Sequence, residues 1–411
     1  MSLSLWIHPA NVADCLRGAG IRVRRAGLGH ANRGSDADAI ISSGIAATWN
    51  GRSYTASPGH FHTFWVRDLC FSAVALARLG DAERARLRAS LTWALEGWRK
   101  HRSHITTTFH IGGYPADVYS YGVDSLPLFL AGVRAAGGDD LIEKYRGWFE
   151  TEIAHFVERV VDPATGLVRD DRKYSAHRDT VTNRSNAYGN SMVALLAKTI
   201  AEKSEWGLSN PLERYFPAGD YAALLREHFW MGDRFRDAIG SDETSGEANI
   251  WPFWTGVIED DAMLATALGT LEDEGYADPY PLRYTTHPTP SREVWLVRHL
   301  LPDYQGSSIW TSLGAMYLSL LRTVDAAKAE AGTKRYVEWI ERDGTYWEVL
   351  NNLGRCWVGR ARLMLGEESM LWGAIFLDLL RNPLVAPATL SWAPVPVAVP
   401  SPHRGSARLS A

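Results

Sequence analysis

The chain has 411 residues, 46% of them hydrophobic and 22% charged, which excludes a wholly disordered polymer and is enough to bury a large core. A formal charge of −4 and a pI near 6.4 provide no basic field, so neither nucleic acid nor an anionic membrane surface is expected as a partner. The three scattered cysteines, Cys15, Cys70 and Cys356, suit neither a disulfide framework nor a four-thiolate zinc site.

The opening MSLSLWIHPANVADCLRG lacks a cationic start and a long apolar run, and no later stretch reaches the roughly 18 apolar residues of a membrane span. A cytoplasmic protein is therefore expected. Residues 1–60 are mixed and turn-rich and read as an N-terminal arm packing on the helical body of the chain. Helical periodicity then takes over, with segments near 65–79, 81–99, 124–136, 139–161, 187–204, 219–237, 259–275, 291–301, 308–331, 333–342, 355–365 and 367–381. Leu141, Tyr145, Trp148, Phe149, Ile153 and Phe156, for example, share one helical stripe. No alternating pattern is long enough for a core sheet, and no glycine-rich phosphate loop follows a strand. A dozen helices at about 30 residues each, loops included, match an all-α (α/α)6 toroid barrel over residues 61–382. From Pro383 to Ala411 proline and small residues dominate, and an extended or disordered tail is expected.

Chemistry-bearing residues fall in the loops that lead into these helices. Trp65, Arg67 and Asp68 stand at the mouth of the first helix, where five fixed donors beside two acceptors suit the vicinal hydroxyls of a sugar. Asp124 follows Tyr121 and precedes an apolar helix, either as an ordinary cap or as an acid whose proton is retained by aromatic burial against the helix dipole. His177 and Asp179 lie in a polar loop, and Trp251 and Trp254 in an aromatic segment. Trp310 follows Gln305, Gly306 and Ser307, which open its helix. Glu348 sits inside the aromatic run Tyr346-Trp347, off any amphipathic face, while Glu367 and Glu368 resemble a charged first turn and rank as spare candidates. Trp outnumbers both other aromatics, at 17 against 16 Tyr and 12 Phe, which favours carbohydrate because indole packs on the C–H face of a sugar ring. His60 and His62, and the doublets Asp170-Asp171 and Asp260-Asp261, have no second cluster at ligand spacing, so neither metal nor cofactor is expected.

At these residues the chain resembles the six-hairpin glycosidases, in particular clan G: the neutral/alkaline invertases and the trehalase and processing α-glucosidase groups. Trp65-x-Arg67-Asp68 is similar to the arginine-aspartate pair that clamps a terminal sugar. Val123-Asp124-Ser125 resembles the invertase segment that carries the general acid. Asp179, followed by Asn186-Ala187-Tyr188, is similar to a sugar-binding loop, and Tyr346-Trp347-Glu348 to the stretch that carries the general base. The resemblance implies an inverting hydrolase of a small α-linked glucoside or related glycoside, with Asp124 as acid and Glu348 as base. Trp65, Arg67, Asp68, Tyr121, His177, Asp179, Trp254 and Trp310 would bind the small carbohydrate substrate. A sugar epimerase or isomerase on the same barrel is the alternative, and needs two histidines from among His110, His177 and His287 facing the pocket; a non-catalytic carbohydrate-binding barrel is another. The sequence gives no indication of oligomeric state.

Overall fold

The structure is a computed structural model that describes residues 9–391 apart from 111, 119, 289–292, 295–298, 300 and 361–363. Its helices are α1 (Pro9–Leu28), α2 (Ala37–Thr48), α3 (Val66–Phe71), α4 (Ala73–Leu79), α5 (Asp81–Lys100), α6 (Ser125–Ala135) and α7 (Asp139–Val160). They continue with α8 (Ala187–Glu202), α9 (Ala223–His228), α10 (Gly246–Trp254), α11 (Asp261–Asp273), α12 (Thr311–Val324), α13 (Ala326–Asp343) and α14 (Gly373–Arg381).

Burial sorts these helices into two layers. Every residue of α6 and of α10 is buried, whereas α5 buries only Leu87, Ser90, Leu91, Ala94, Leu95 and Trp98, a single 3.6-period stripe. The extensively buried helices form a closed inner ring: α3 packs on α6, α6 on α8, α8 on α10, α10 on α12, α12 on α14, and α14 back on α4. The one-sided helices lie outside it, with α5 on α4 and α6, α7 on α6, α9 on α8, α11 on α10 and α12, and α13 on α12. α2, within the stretch read as an arm, takes the remaining outer place against α13 and α14. Inner and outer helices alternate along the chain, so the architecture is the all-α toroid expected from the periodicity. Gly132 makes one close inner contact possible, since a Cβ there would lie 2.8 Å from the Cys70 sulfur.

The segment read as one helix at 65–79 is interrupted at Ser72, whose hydroxyl donates to the Asp68 carbonyl at 2.9 Å. Helices α1 and α2 occupy the stretch read as an N-terminal arm, to which no helix was assigned, and α10 was not expected at all, its periodicity being masked by Pro252. The stretch expected to be a helix at 355–365 instead makes bridges, Leu350 to Cys356 and Val358 to Leu365. The helix expected near 291–301 lies mostly outside the described residues.

Loops that enter the inner helices meet at one end of the ring and are tied by short antiparallel pairs. β1 (Thr108–Phe109) pairs with β2 (Pro115–Ala116), and β3 (Ile309–Trp310) with β4 (Val349–Leu350), placing Trp310 opposite Val349. At the other end, residues 383–391 cross the inner-helix C-termini. Arg78 donates to the Ala386 carbonyl at 2.8 Å, Arg322 to that of Val385 at 2.6 Å, and Arg134 to that of Leu390. The expected tail thus begins as a bound segment, and its remainder, 392–411, lies outside the described residues. No described helix is long and apolar enough to cross a membrane.

Candidate active site

A cavity of about 230 Å³ opens where the inner-helix N-termini converge. Phe61, Trp65, Trp310 and Trp372 form its aromatic walls, and Asp68, Asp179 and Glu348 its carboxylates; Arg67 and His177 also line it. The indole N–H groups are satisfied within the protein: Trp65 donates to Thr63 Oγ1 at 2.9 Å, Trp310 to the Tyr304 carbonyl at 2.8 Å and Trp372 to Thr311 Oγ1 at 3.1 Å. With their N–H groups engaged, these side chains offer a ligand apolar ring surface.

Arg67 organises the wall formed by α3. Its guanidinium is buried and donates from Nε to Asp124 Oδ2, from Nη1 to Asp179 Oδ2 at 2.5 Å and from Nη2 to Ser175 Oγ at 2.9 Å. Asp179 Oδ1 accepts from Ser175 Oγ at 2.9 Å and from the Ala176 N–H at 3.3 Å. Burial, opposed by the Arg67 charge, pushes Asp179 up to about 6. Asp68 is pushed up to about 7, chiefly by burial, with the charges of Glu348 and Asp179 acting in the same direction. No described side chain donates to its carboxyl.

Glu348 is held from two sides. Its Oε1 accepts from the Tyr304 hydroxyl and its Oε2 from the Glu367 N–H at 2.9 Å. Burial raises it, while the nearby His60 charge and the Tyr304 hydrogen bond act against the rise. Asp179 precedes α8, and Glu348 pairs through its backbone with Glu367 ahead of α14. In the ring order these two helices are opposite one another, so the two carboxylates approach the cavity from facing walls.

Trp65, Arg67, Asp68, His177, Asp179, Trp310 and Glu348 are thus brought together, whereas Asp124, Tyr121 and Trp254 are not. Asp124 is fully buried against Arg67, with Oδ2 also accepting from the Tyr188 hydroxyl at 2.6 Å, and it does not line the cavity. Tyr121 faces outward to α7, stacked on His104 at 5.1 Å and against His155 at 5.5 Å. Trp254 ends α10, about 12 Å along the helix axis from the N-terminal end; its carbonyl accepts from Leu390 N at the far side of the ring. Phe61, Tyr304, Gln305 and Trp372 were not singled out as ligand-binding in the sequence. Only Trp372, an indole at the start of an apolar helix like Trp65 and Trp310, carried a signal.

His177 is buried, with Nδ1 3.1 Å from the Tyr284 hydroxyl and 3.4 Å from Glu247 Oε2. Burial beside Arg67 lowers it to about 3, so the imidazole is neutral. Among the described cavity-lining residues it is the sole histidine: His287 is exposed and His110 lies in the β1–β2 turn, so the facing pair that isomerisation requires is not formed. Among the described residues no group of three or more His, Cys, Asp or Glu side chains is placed to hold a metal ion.

No known family profile and no curated protein matches the sequence. Solved structures do match. A glycosidase is 15% identical, with a TM-score of 0.54 over 90% of this chain and 97% of its own. A GH63 mannosylglycerate hydrolase from Thermus thermophilus is 13% identical, with a TM-score of 0.55 over 84% of this chain and 100% of its own. A rhamnosidase from Klebsiella oxytoca, with rhamnose bound, is 13% identical with a TM-score of 0.60; the match covers 85% of this chain but only 63% of that longer one. The resemblance to the six-hairpin (α/α)6 glycosidases read from the sequence therefore holds for the fold.

Proposed function

We propose that the protein is a glycoside hydrolase that removes one terminal sugar from a small glycoside, with an α-linked glucoside or a related glycoside as the substrate class. The observation that carries this reading is the pair of carboxylates, a partly exposed Asp179 and a buried Glu348, approaching one aromatic cavity from facing walls. The cavity, at about 230 Å³, is below the roughly 300–1,000 Å³ of pockets for drug-sized ligands, which favours a single ring. A glycosidase that shares the toroid has been solved with glucose, and the rhamnosidase with rhamnose, which supports a monosaccharide in the equivalent space.

The general acid is assigned to Asp179 in place of Asp124. In a pocket that holds a terminal sugar the scissile bond lies toward the mouth, and the Asp179 side chain keeps 19% of its surface exposed. Its raised pKa leaves a protonated fraction near neutral pH to donate to the leaving oxygen. Glu348, oriented by Tyr304 and the Glu367 amide, takes a proton from water as that water attacks the anomeric carbon from the opposite face. The C–O bond breaks as the new one forms, and the anomeric configuration inverts. Asp68 accepts hydroxyl hydrogens of the bound ring, and the indoles exclude bulk water.

Leaving-group dependence on 4-nitrophenyl and alkyl glycosides tests these roles. Glu348→Gln is expected to lose at least about 10²-fold in turnover on every substrate. Asp179→Asn is expected to lose a similar factor on alkyl glycosides and far less on 4-nitrophenyl ones, whose leaving group needs no proton. Proton NMR of the first-formed product should show the inverted anomer. Near-wild-type turnover in Glu348→Gln would sink the hydrolase reading, and an Asp68→Asn variant with the leaving-group pattern expected of Asp179→Asn would move the acid to Asp68.

A further inference from the structure

A peptide unit links the first helix of the chain to Glu348. Arg25, on α1, is buried, and its Nη1 donates to the Gly366 carbonyl at 3.1 Å while its Nη2 donates to the Glu367 carboxylate. The N–H on the other side of that Gly366–Glu367 peptide donates to Glu348 Oε2 at 2.9 Å. The two strands are further fixed by Glu348 N donating to the Glu367 carbonyl at 2.8 Å. The remaining Glu367 oxygen accepts from His60, at 2.5 Å from both its backbone nitrogen and Nδ1.

From this geometry we infer that Arg25 is a positioning residue for Glu348, acting through the Gly366–Glu367 peptide, so that α1 completes the active site. A guanidinium bound to the carbonyl polarises the peptide and strengthens its N–H as a donor, because hydrogen bonds in a chain reinforce one another away from water. The strengthened donor favours the ionised Glu348 carboxylate and fixes the direction of its free lone pairs. The other groups that act on Glu348 are Tyr304 and His60, which favour its charge, and Asp68 and Glu367, which oppose it. Cys356, also close by, is pushed up to about 12 by burial and stays a neutral thiol. Loss of Arg25 removes one of the supports that oppose burial.

The role of Glu348 as base rests on the proposed hydrolase reading, but the link to Arg25 can be measured without it. In full-length protein carrying ¹³C-labelled glutamate carboxyls, with the Glu348 signal assigned by its loss in Glu348→Gln, the midpoint of its pH titration is expected to rise by about half a unit or more in Arg25→Met. Arg25→Lys, which keeps the charge but not the two-pronged donor, should fall between the two. On whichever 4-nitrophenyl glycoside the wild type hydrolyses fastest, kcat should fall about tenfold with little change in KM, and the acid limb of the rate profile should move up with the NMR midpoint. A purely structural Arg25 would lower thermal stability and leave the midpoint in place, and an unmoved midpoint in folded Arg25→Met protein overturns the inference. A moved midpoint in a protein without glycosidase activity would instead keep the link and remove the hydrolase reading.

Discussion

Asp124 shows how a single ion pair reassigns a residue. It precedes an apolar helix and follows an aromatic loop, a pattern that fits a proton donor as well as a structural anion, and only the position of Arg67 separates the two roles. With both oxygens bonded to a guanidinium that also holds Asp179, Asp124 fixes the charge that in turn positions Asp179. Removing one member of a buried pair strands the other, so Asp124→Asn is expected to cost about 3–5 kcal/mol of stability. Asp179, left to balance the guanidinium alone, should then be drawn down in pKa, shifting the basic limb of activity to lower pH. Calorimetry together with the rate profile checks both, and wild-type melting would mean that Arg67 does not depend on Asp124. Glu348 was legible because it is a charge inside an aromatic run with no solvated face to explain it, Arg67 and Asp68 because they stand side by side at the mouth of a helix, and Asp179 through the family resemblance of its polar loop. The contributions of Tyr304 and Gln305 were not, since neither residue type is unusual in a loop, and only the β3–β4 pairing and the loop path bring them to the cavity.

At the scale of elements, the sequence speaks most clearly where burial is one-sided or complete. The stripe of α7 and the apolar body of α8 are read correctly because packing and periodicity agree. Helix α1 escapes because Arg17, Arg24 and Arg25 interrupt its pattern, and part of that charge is turned inward to serve Glu367 and Glu368. Residues 383–391 escape for a related reason: proline-rich chain packs little by itself, and what binds it is a set of arginines on inner helices. Arg78 and Arg134 are nearly buried there, so each would lose a carbonyl partner if the segment were cut away. A buried donor left unpaired costs about 1–3 kcal/mol. Truncation after Asn382 is therefore expected to lower the melting temperature while leaving KM for an aryl glycoside unchanged, because the cavity is at the opposite end of the ring. A change in KM as large as the change in stability would show that the two ends are coupled.

Over the whole molecule, the cavity places carboxylates where burial disfavours their charge, and stability must depend on pH accordingly. Asp68 is near 7 in the folded chain against an ordinary 3.8, and Asp179 near 6, so the native state keeps protons that the unfolded state has released. Where the native state binds more protons, stability falls as pH rises; the fall begins near pH 4 and levels off once the folded values are passed, at about 6 for Asp179 and 7 for Asp68. Glu367 behaves oppositely. With Arg25 and His60 against it, it is lowered to about 2 from 4.5, and its contribution is present above 4.5 and disappears as pH falls toward 2. Together these groups place the stability maximum on the acid side of neutrality. Asp68→Asn removes one charged form without removing a side-chain partner, so at pH 8 it should be more stable than wild type by roughly 2–4 kcal/mol, with the difference shrinking to near zero at pH 4. Thermal melts of both proteins across that range decide the point: a wild-type melting temperature that climbs between pH 5 and 7.5, or an Asp68→Asn gain independent of pH, would mean that Asp68 is well solvated in the folded chain and not held up by burial in the cavity wall.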